Sequence, residues 1–243
     1  MHITKRQKYI QEYYERNYGY ALINGLDEEI KAYGNFLITN IKGKTLDFGC
    51  GPSIHFNALF MPNATLIDGI DITPENITFT KAKIKSFAPE SYKKIEGFIR
   101  KSGIKKYSTS KQIRKIRHLI VSDFTKKIPR ILKPKSYDSV VSTFSIGCLR
   151  TVEGYESAIK NMFNLTKKGG RIIILNTNGM NANQIVPEIT YNGLELANKS
   201  HTYLQNYLKK LGCKNVRTKT VRIEPNLDEM YKHSKLFLTH AEK

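Results

Sequence analysis

The residues whose types and spacing can do chemistry are the glycines that stop one short apolar run and the acids that end two later ones. Leu46-Asp47-Phe48 runs into Gly49-Cys50-Gly51-Pro52. A glycine-rich turn between a strand and a helix lets a ligand approach the backbone and meet the amides at the helix N-terminus. The same glycines suit any strand-to-helix loop that needs φ > 0, so the turn also has a purely structural reading. Ile54 stands where the dinucleotide pattern G-x-G-x-x-G would place its last glycine, which weakens nicotinamide and flavin readings.

Leu66-Ile67-Asp68-Gly69-Ile70 ends in Asp71, 20 residues after Gly51. An acid at the tip of the second strand can accept the ribose hydroxyls of an adenine nucleoside, with Asn76 one helical turn further on. Leu119-Ile120-Val121-Ser122 ends in Asp123, which can accept from an adenine amino group, and Phe124 offers an apolar face. Asp71 taken singly also reads as a solvated strand-end acid. Three such features at matching topological positions together point to an adenosyl group.

Other reactive groups stand apart. His55 is a candidate base and equally an ordinary residue of a first helical turn. Arg150 can pair with a carboxylate or simply face solvent. Cys50, Cys148 and Cys213 fit neither a disulfide framework nor a zinc-ligand spacing, so no metal is expected.

These residues need elements to hold them. The periodicity predicts helices over Lys5 to Arg16 and Asp27 to Ile38, the second with apolar positions Ile30, Tyr33, Leu37 and Ile38. It then predicts a strand at Thr45 to Phe48, a helix at Ile54 to Phe60, a strand at Thr65 to Ile70 and a helix at Pro74 to Phe87. Strands follow at His118 to Val121 and Tyr137 to Ser142, a helix at Glu153 to Thr166, and a strand at Arg171 to Asn176. A helix from Ser200 to Leu211, ended by Gly212, precedes strand-like segments at Asn215 to Ile223 and Lys235 to His240. This alternation predicts an α/β fold of seven strands, mostly parallel, with helices on both faces. Residues 1–243 read as one domain, with a helical cap over 1–43 and an inserted basic element over 88–116.

Composition bounds the rest. With 40% hydrophobic residues the chain can bury a full core. No stretch approaches a membrane span, and the start shows no apolar run of an export signal, so a cytoplasmic location is expected. The net charge of +19 is uneven: Lys81 to Lys135 carries 18 Lys and Arg against 3 Asp and Glu, while the other 188 residues carry 22 against 18. That segment is either a solvated lysine-rich surface or an attractor of an anionic partner such as nucleic acid.

Asp47-Phe48-Gly49-Cys50-Gly51, Asp71, Ser122-Asp123 and Tyr137-Asp138-Ser139-Val140-Val141-Ser142 resemble the motifs of class I S-adenosylmethionine-dependent methyltransferases. So does Lys167-Lys168-Gly169-Gly170-Arg171-Ile172-Ile173-Ile174. Tyr9-Ile10-Gln11-Glu12-Tyr13-Tyr14, with Gly49-Cys50-Gly51-Pro52-Ser53-Ile54 and Ser142-Thr143-Phe144, is similar to the nicotinamide, phenylethanolamine and thioether methyltransferase group. The resemblance implies a Rossmann-like sheet and S-adenosylmethionine as cofactor. It implies a cofactor set of Tyr14, Asp47, Gly49, Cys50, Gly51, Ser53, Asp71, Ile72, Asn76, Ser122, Asp123, Phe124, Ser142 and Thr143. It also implies a small-molecule acceptor, most readily a nitrogen, met by Tyr9, Tyr13, Gly147, Arg150, Asn176, Asn178 and Asn183.

Departures matter too. Amine-binding members of that group carry acids after the fourth and fifth strands, where this chain has Gly147 and Asn176 or Asn178. Enzymes that methylate exocyclic base amines share an Asp/Asn-Pro-Pro-aromatic run, here replaced by Ser142-Thr143-Phe144-Ser145. Methyl transfer from a sulfonium is an in-line displacement that needs alignment more than a nucleophile, so no catalytic triad is expected; Tyr9, Tyr13 and His55 are the candidates for a catalytic part.

Overall fold

The computed structural model describes residues 4–19, 22, 26–149, 151–178, 201–222 and 235–243. The sheet has seven strands in the order β3-β2-β1-β4-β5-β7-β6, and the chain divides into two compact units, Met1–Asp123 and Phe124–Lys243. The expected seven-stranded, mostly parallel sheet with intervening helices is the observed Rossmann-like architecture.

In the first unit, α1 (Lys5–Tyr14) starts with a capping box in which Thr4 and Gln7 each satisfy the other's backbone amide. It ends two residues short of the expected Arg16, because a π-helical turn over Glu15–Gly19 takes over and turns Tyr18 inward. Helix α2 (Glu28–Asn40) is capped by Asp27, whose side chain accepts from the Ile30 amide at 2.7 Å. Its expected apolar positions Ile30, Tyr33, Leu37 and Ile38 are all buried.

Strand β1 (Gly43–Phe48) pairs in parallel with β2 (Ala64–Asp71), and β2 pairs in parallel with β3 (Ile116–Val121). Phe48 sits opposite Ile70, and Asp71 opposite Val121, so the carboxyl ends of the three strands lie level. The expected helix after the glycine turn is broken. A 3-10 turn (Gly51–Ser53), helix α3 (Ile54–Asn57) and a second 3-10 turn (Ala58–Phe60) share its length. Helix α4 (Pro74–Lys85) follows β2 with proline in its first turn.

The inserted stretch holds a 3-10 turn (Pro89–Tyr92), α5 (Lys93–Lys101) and α6 (Thr109–Ile113). It is more than a surface element. Ile95 and Ile99 are fully buried, and three of its side-chain groups make four hydrogen bonds to carbonyls between Ala58 and Pro62. Tyr107 Oη reaches Leu59 O at 2.7 Å, Gln112 Nε2 reaches Ala58 O at 2.9 Å and Met61 O at 2.6 Å, and Lys115 Nζ reaches Pro62 O at 2.9 Å.

In the second unit, β4 (Tyr137–Thr143) pairs in parallel with β5 (Thr166–Asn178), joined by a 3-10 turn (Ile146–Cys148) and α7 (Val152–Leu165). Strand β5 pairs antiparallel with β7 (Lys235–Glu242), which pairs antiparallel with β6 (Lys214–Arg222) after α8 (His201–Lys210). The core here is Tyr137, Val140, Val141, Tyr155, Ile159, Met162 and the Ile172–Leu175 run.

Candidate functional site

The glycine turn hangs from the end of β2. The amides of Gly49 and Cys50 both donate to Ile70 O, at 2.8 and 2.9 Å, and Gly51 N donates to Asp71 Oδ2 at 2.8 Å. Gly49 and Gly51 have φ of +76° and +55°, the left-handed region that favours glycine. Asp71 Oδ1 accepts from Thr73 N at 2.8 Å and from Asn76 Nδ2 at 3.1 Å, and Ser122 N donates to Asp71 O at 2.8 Å. Three strand ends thus meet at one residue. Burial raises the Asp71 pKa, and the amides of Thr73 and Gly51 with the Asn76 side chain oppose that rise. Beside it Ile72 and Val121 are 56% and 48% exposed, apolar surface at the same edge; Ser122 and Asp123 are half-buried.

Asp47, at the end of β1, is fully buried, and neither of its carboxylate oxygens has a hydrogen-bond partner. Burial pushes its pKa up to about 7, the nearby Asn57 amide offsets part of that, and the charge of Asp71 adds to it. Cys50 is buried and its thiol is pushed well up, which leaves it inert as a nucleophile. Ser53 Oγ donates to Cys50 O at 3.4 Å.

Of the expected tyrosines, Tyr14 is buried, Tyr13 half-buried and Tyr9 exposed, with Tyr9 and Tyr13 rings 6.5 Å apart. The Tyr14 hydroxyl lies 2.8 Å from His55 Nε2, and the two ring centroids are 5.0 Å apart. The ring of Tyr14 also meets Phe79 at 5.3 Å and Tyr18 at 5.5 Å, with Lys83 Nζ 5.1 Å from its centroid. His55 is fully buried; burial, then Lys83, lowers its pKa to about 3, so its ring is neutral near pH 7. Its Nδ1 has no partner.

Sequence reasoning missed three of these side chains. Tyr18 is buried against Phe56, ring centroids 5.0 Å apart, and its hydroxyl bonds Ser53 and Tyr13. Tyr92, from the insert, lies against the Tyr14 hydroxyl. Glu29, in the first turn of α2, is pushed to about 7 by burial and by the charge of Asp27. Only the acid-rich first turn of α2 gave a signal, and it reads as helix capping.

In the second unit, the hydroxyls of Ser142 and Thr143, at the end of β4, are buried without partners. Phe144 has φ of +61° and donates its amide to Leu175 O at 2.8 Å. Asn176 Oδ1 is buried without a partner, and a Cβ built on Gly147 would lie 3.1 Å from it. Phe124 is buried, its carbonyl held by Asn161 Nδ2 at 2.9 Å. Cys148 Sγ donates to Phe144 O at 3.3 Å. Arg150 and Asn183 lie outside the described residues, as does the side chain of Asn178. Among the described residues no three His, Cys, Asp or Glu side chains are grouped to hold a metal ion, and no helix is long and apolar enough to cross a membrane.

The family model described as the NNMT/PNMT/TEMT family matches residues 4–243. Among solved structures, the chain is similar to the methyltransferase in complex with the Trm112 methyltransferase activator of Haloferax volcanii, at 13% identity and TM-score 0.60, covering 100% of both chains. It is similar to the N-methyltransferase NodS of Bradyrhizobium japonicum WM9 in complex with S-adenosyl-L-homocysteine, at 11% identity and TM-score 0.58, covering 99% of this chain and 100% of that one. A SAM-dependent methyltransferase from Aquifex aeolicus matches at 12% identity and TM-score 0.55, over 96% and 97%. No curated protein matches the sequence.

Proposed function

We infer, for a chain that belongs to the NNMT/PNMT/TEMT family and is an S-adenosylmethionine-dependent methyltransferase, that it methylates a nitrogen of a small molecule. The observation that carries the cofactor side of this reading is the meeting of three strand ends at Asp71, beside the unpartnered carboxylate of Asp47. These residues fit the group. Asp47 supplies a buried anion with no cation of its own, suited to the ammonium of the methionine end. Asp71, kept in place by Thr73 and Asn76, takes the ribose, and Ile72, Ser122, Asp123 and Phe124 serve the adenine.

When bound, the cofactor supplies a methyl group on a sulfonium, open to in-line attack. The chain's own part is alignment and exclusion of water. Tyr14, fixed by His55, closes the methionine end with Cys50 and Ser53, and Tyr9 and Tyr13 cover the acceptor. Ser142 and Thr143 serve the cofactor; Gly147 and Asn176 orient the acceptor through the free amide oxygen of Asn176. His55 acts by holding Tyr14 rather than as a base, since it is fully buried, its Nε2 meets the Tyr14 hydroxyl and burial makes its ring a weak proton acceptor.

A second reading, methylation of RNA or another nucleic acid recruited by residues 81–135, is favoured by the exposed Lys101, Lys105, Lys106, Lys111 and Arg114 of the insert. Protein incubated with methyl-labelled cofactor and either total RNA or a metabolite extract separates the two. Label is expected in the small-molecule fraction, and label in RNA overturns the first reading.

A further inference from the structure

The insert turns a basic face to solvent. Between Lys101 and Arg114 it carries Lys101, Lys105, Lys106, Lys111 and Arg114 and no acid, and all five are exposed. None of the five side chains makes an ion pair or a hydrogen bond among the described residues. The two acids of the insert are engaged within it. Glu90 pairs with Lys93, and Glu96 accepts from Arg100 Nη2 at 2.5 Å and from Thr109 N at 3.2 Å.

The frame under these cations is fixed. Helix α5 ends in a left-handed turn in which Gly103, at φ of +98°, donates to Arg100 O at 3.1 Å and Ile104 N donates to Ile99 O at 3.3 Å. Arg100 Nη2 holds Tyr107 O at 3.2 Å, and Tyr107, Thr109, Gln112 and Ile113 are buried. The cations stand between these anchors, which fix where their side chains emerge. Lys111 and Arg114, three residues apart, share one side of the α6 turn. Like charges held side by side repel each other, and an anion touching several of them relieves that repulsion.

The surroundings select among polyanions. The large apolar side chains exposed among the described residues are Tyr9, Leu66, Ile72, Val121 and Ile131, none of them in the insert, while Ile95 and Ile99 of α5 are fully buried. A bilayer is therefore offered no apolar side chain to take up, and a protein interface no apolar centre. Phe98 is half-buried and Tyr92 and Tyr107 are buried, which leaves no exposed ring on which an unpaired base could stack. Charge without rings or apolar anchors suits the regular phosphate rows of a duplex, contacted without regard to sequence. We propose that the outer face of the insert, through Lys101, Lys105, Lys106, Lys111 and Arg114, docks the phosphate backbone of a nucleic-acid duplex. The proposal concerns binding alone and goes beyond both acceptor readings above, since this face holds the duplex whichever acceptor is methylated.

The test uses the full chain with a fluorescein-labelled DNA duplex of about 20 base pairs, followed by fluorescence anisotropy over a salt series. Five phosphate contacts predict that log K falls with log salt at a slope of about −4 to −5. Lys101→Gln, Lys105→Gln, Lys106→Gln and Lys111→Gln combined are expected to reduce that slope by about 3 to 4 and to weaken binding by about 100-fold or more at the lowest salt. Lys214→Gln, Arg217→Gln, Lys219→Gln and Arg222→Gln combined remove the same charge from exposed positions of β6 and should weaken binding by about fivefold at most. Equal losses in the two variants make overall charge the cause and overturn the proposal, as does failure of the unaltered protein to bind the duplex. Tighter binding of poly-L-glutamate, or of vesicles rich in phosphatidylserine, than of the duplex gives the face to an acidic protein or a membrane and overturns it too.

Discussion

Gly51 N donates to Asp71 Oδ2 at 2.8 Å across 20 residues of sequence. The glycine turn and the acid of the second strand, which the sequence offers as two separate signals, are one hydrogen-bonded object. A carboxylate offers about four acceptor positions, and Gly51, Thr73 and Asn76 occupy three of those of Asp71. Its orientation is therefore set before any ligand arrives.

Asp71→Ala is expected to weaken S-adenosylhomocysteine binding by about 100-fold or more. It removes a charged acceptor, worth roughly 1.5–3 kcal/mol, and also releases the Gly51 amide. Titration calorimetry measures it, and an unchanged affinity refutes the assignment of Asp71 to the ribose.

Tyr14→Phe strands His55 Nε2 in a buried site where Nδ1 already lacks a partner. A loss of roughly 1–3 kcal/mol in unfolding free energy is expected, with a smaller loss of cofactor affinity than in Asp71→Ala. His55→Leu added to Tyr14→Phe should cost less than the two changes summed; strict additivity in urea unfolding denies the pairing. Because burial holds His55 near 3, below its unfolded value of 6.5, the stability of the neutral ring is complete above about pH 6.5. It drains as pH falls toward 3.

Asp47 gives a pH signature to binding. With its carboxyl raised to about 7, the ionised fraction grows about tenfold between about pH 6 and about pH 8. Affinity for an ammonium-bearing ligand should rise by about that factor over the same interval. Asp47→Asn should bind more weakly at the upper end and show a flat profile; a retained slope moves the titrating group elsewhere.

Gly69→Ala tests the packing under the turn. A Cβ there would stand 2.5 Å from Ile54 Cδ1, 3.0 Å from Cys50 Sγ and 3.1 Å from Leu119 Cδ2. Overpacking of this kind costs about 1–3 kcal/mol, and a lowered Tm together with weakened cofactor binding is expected. An unshifted melting curve would show that Ile54 and Cys50 can move aside freely.

The first three strands were legible because each is a short apolar run closed by glycine or an acid, and β1, β2 and β4 were placed within a residue or two of their limits. The helix after the glycine turn was not. Apart from His55 and Asn57 its seven residues are apolar and too few to show a helical period, so periodicity could not reveal that 3-10 turns occupy both flanks. In the candidate site, residues bound to the backbone pattern, such as Gly51, Asp71 and Ser122, were readable. Tyr18 was hidden by the π-helical turn, whose extra residue breaks the 3.6 spacing that predicts which side faces inward. Tyr92 and Glu29 come from segments whose composition resembles a solvated surface, and only tertiary contact separates them from it.

The insert carries two properties that can be pulled apart. Its inner side donates to the carbonyls of residues 58, 59, 61 and 62, which follow the glycine turn, so excising residues 88–116 would strand polar groups there. Its outer lysines hold up nothing of the kind. Electric charge can drift on this segment over evolutionary time without loosening the platform, whereas Tyr107 and Gln112 are anchored by what lies under them.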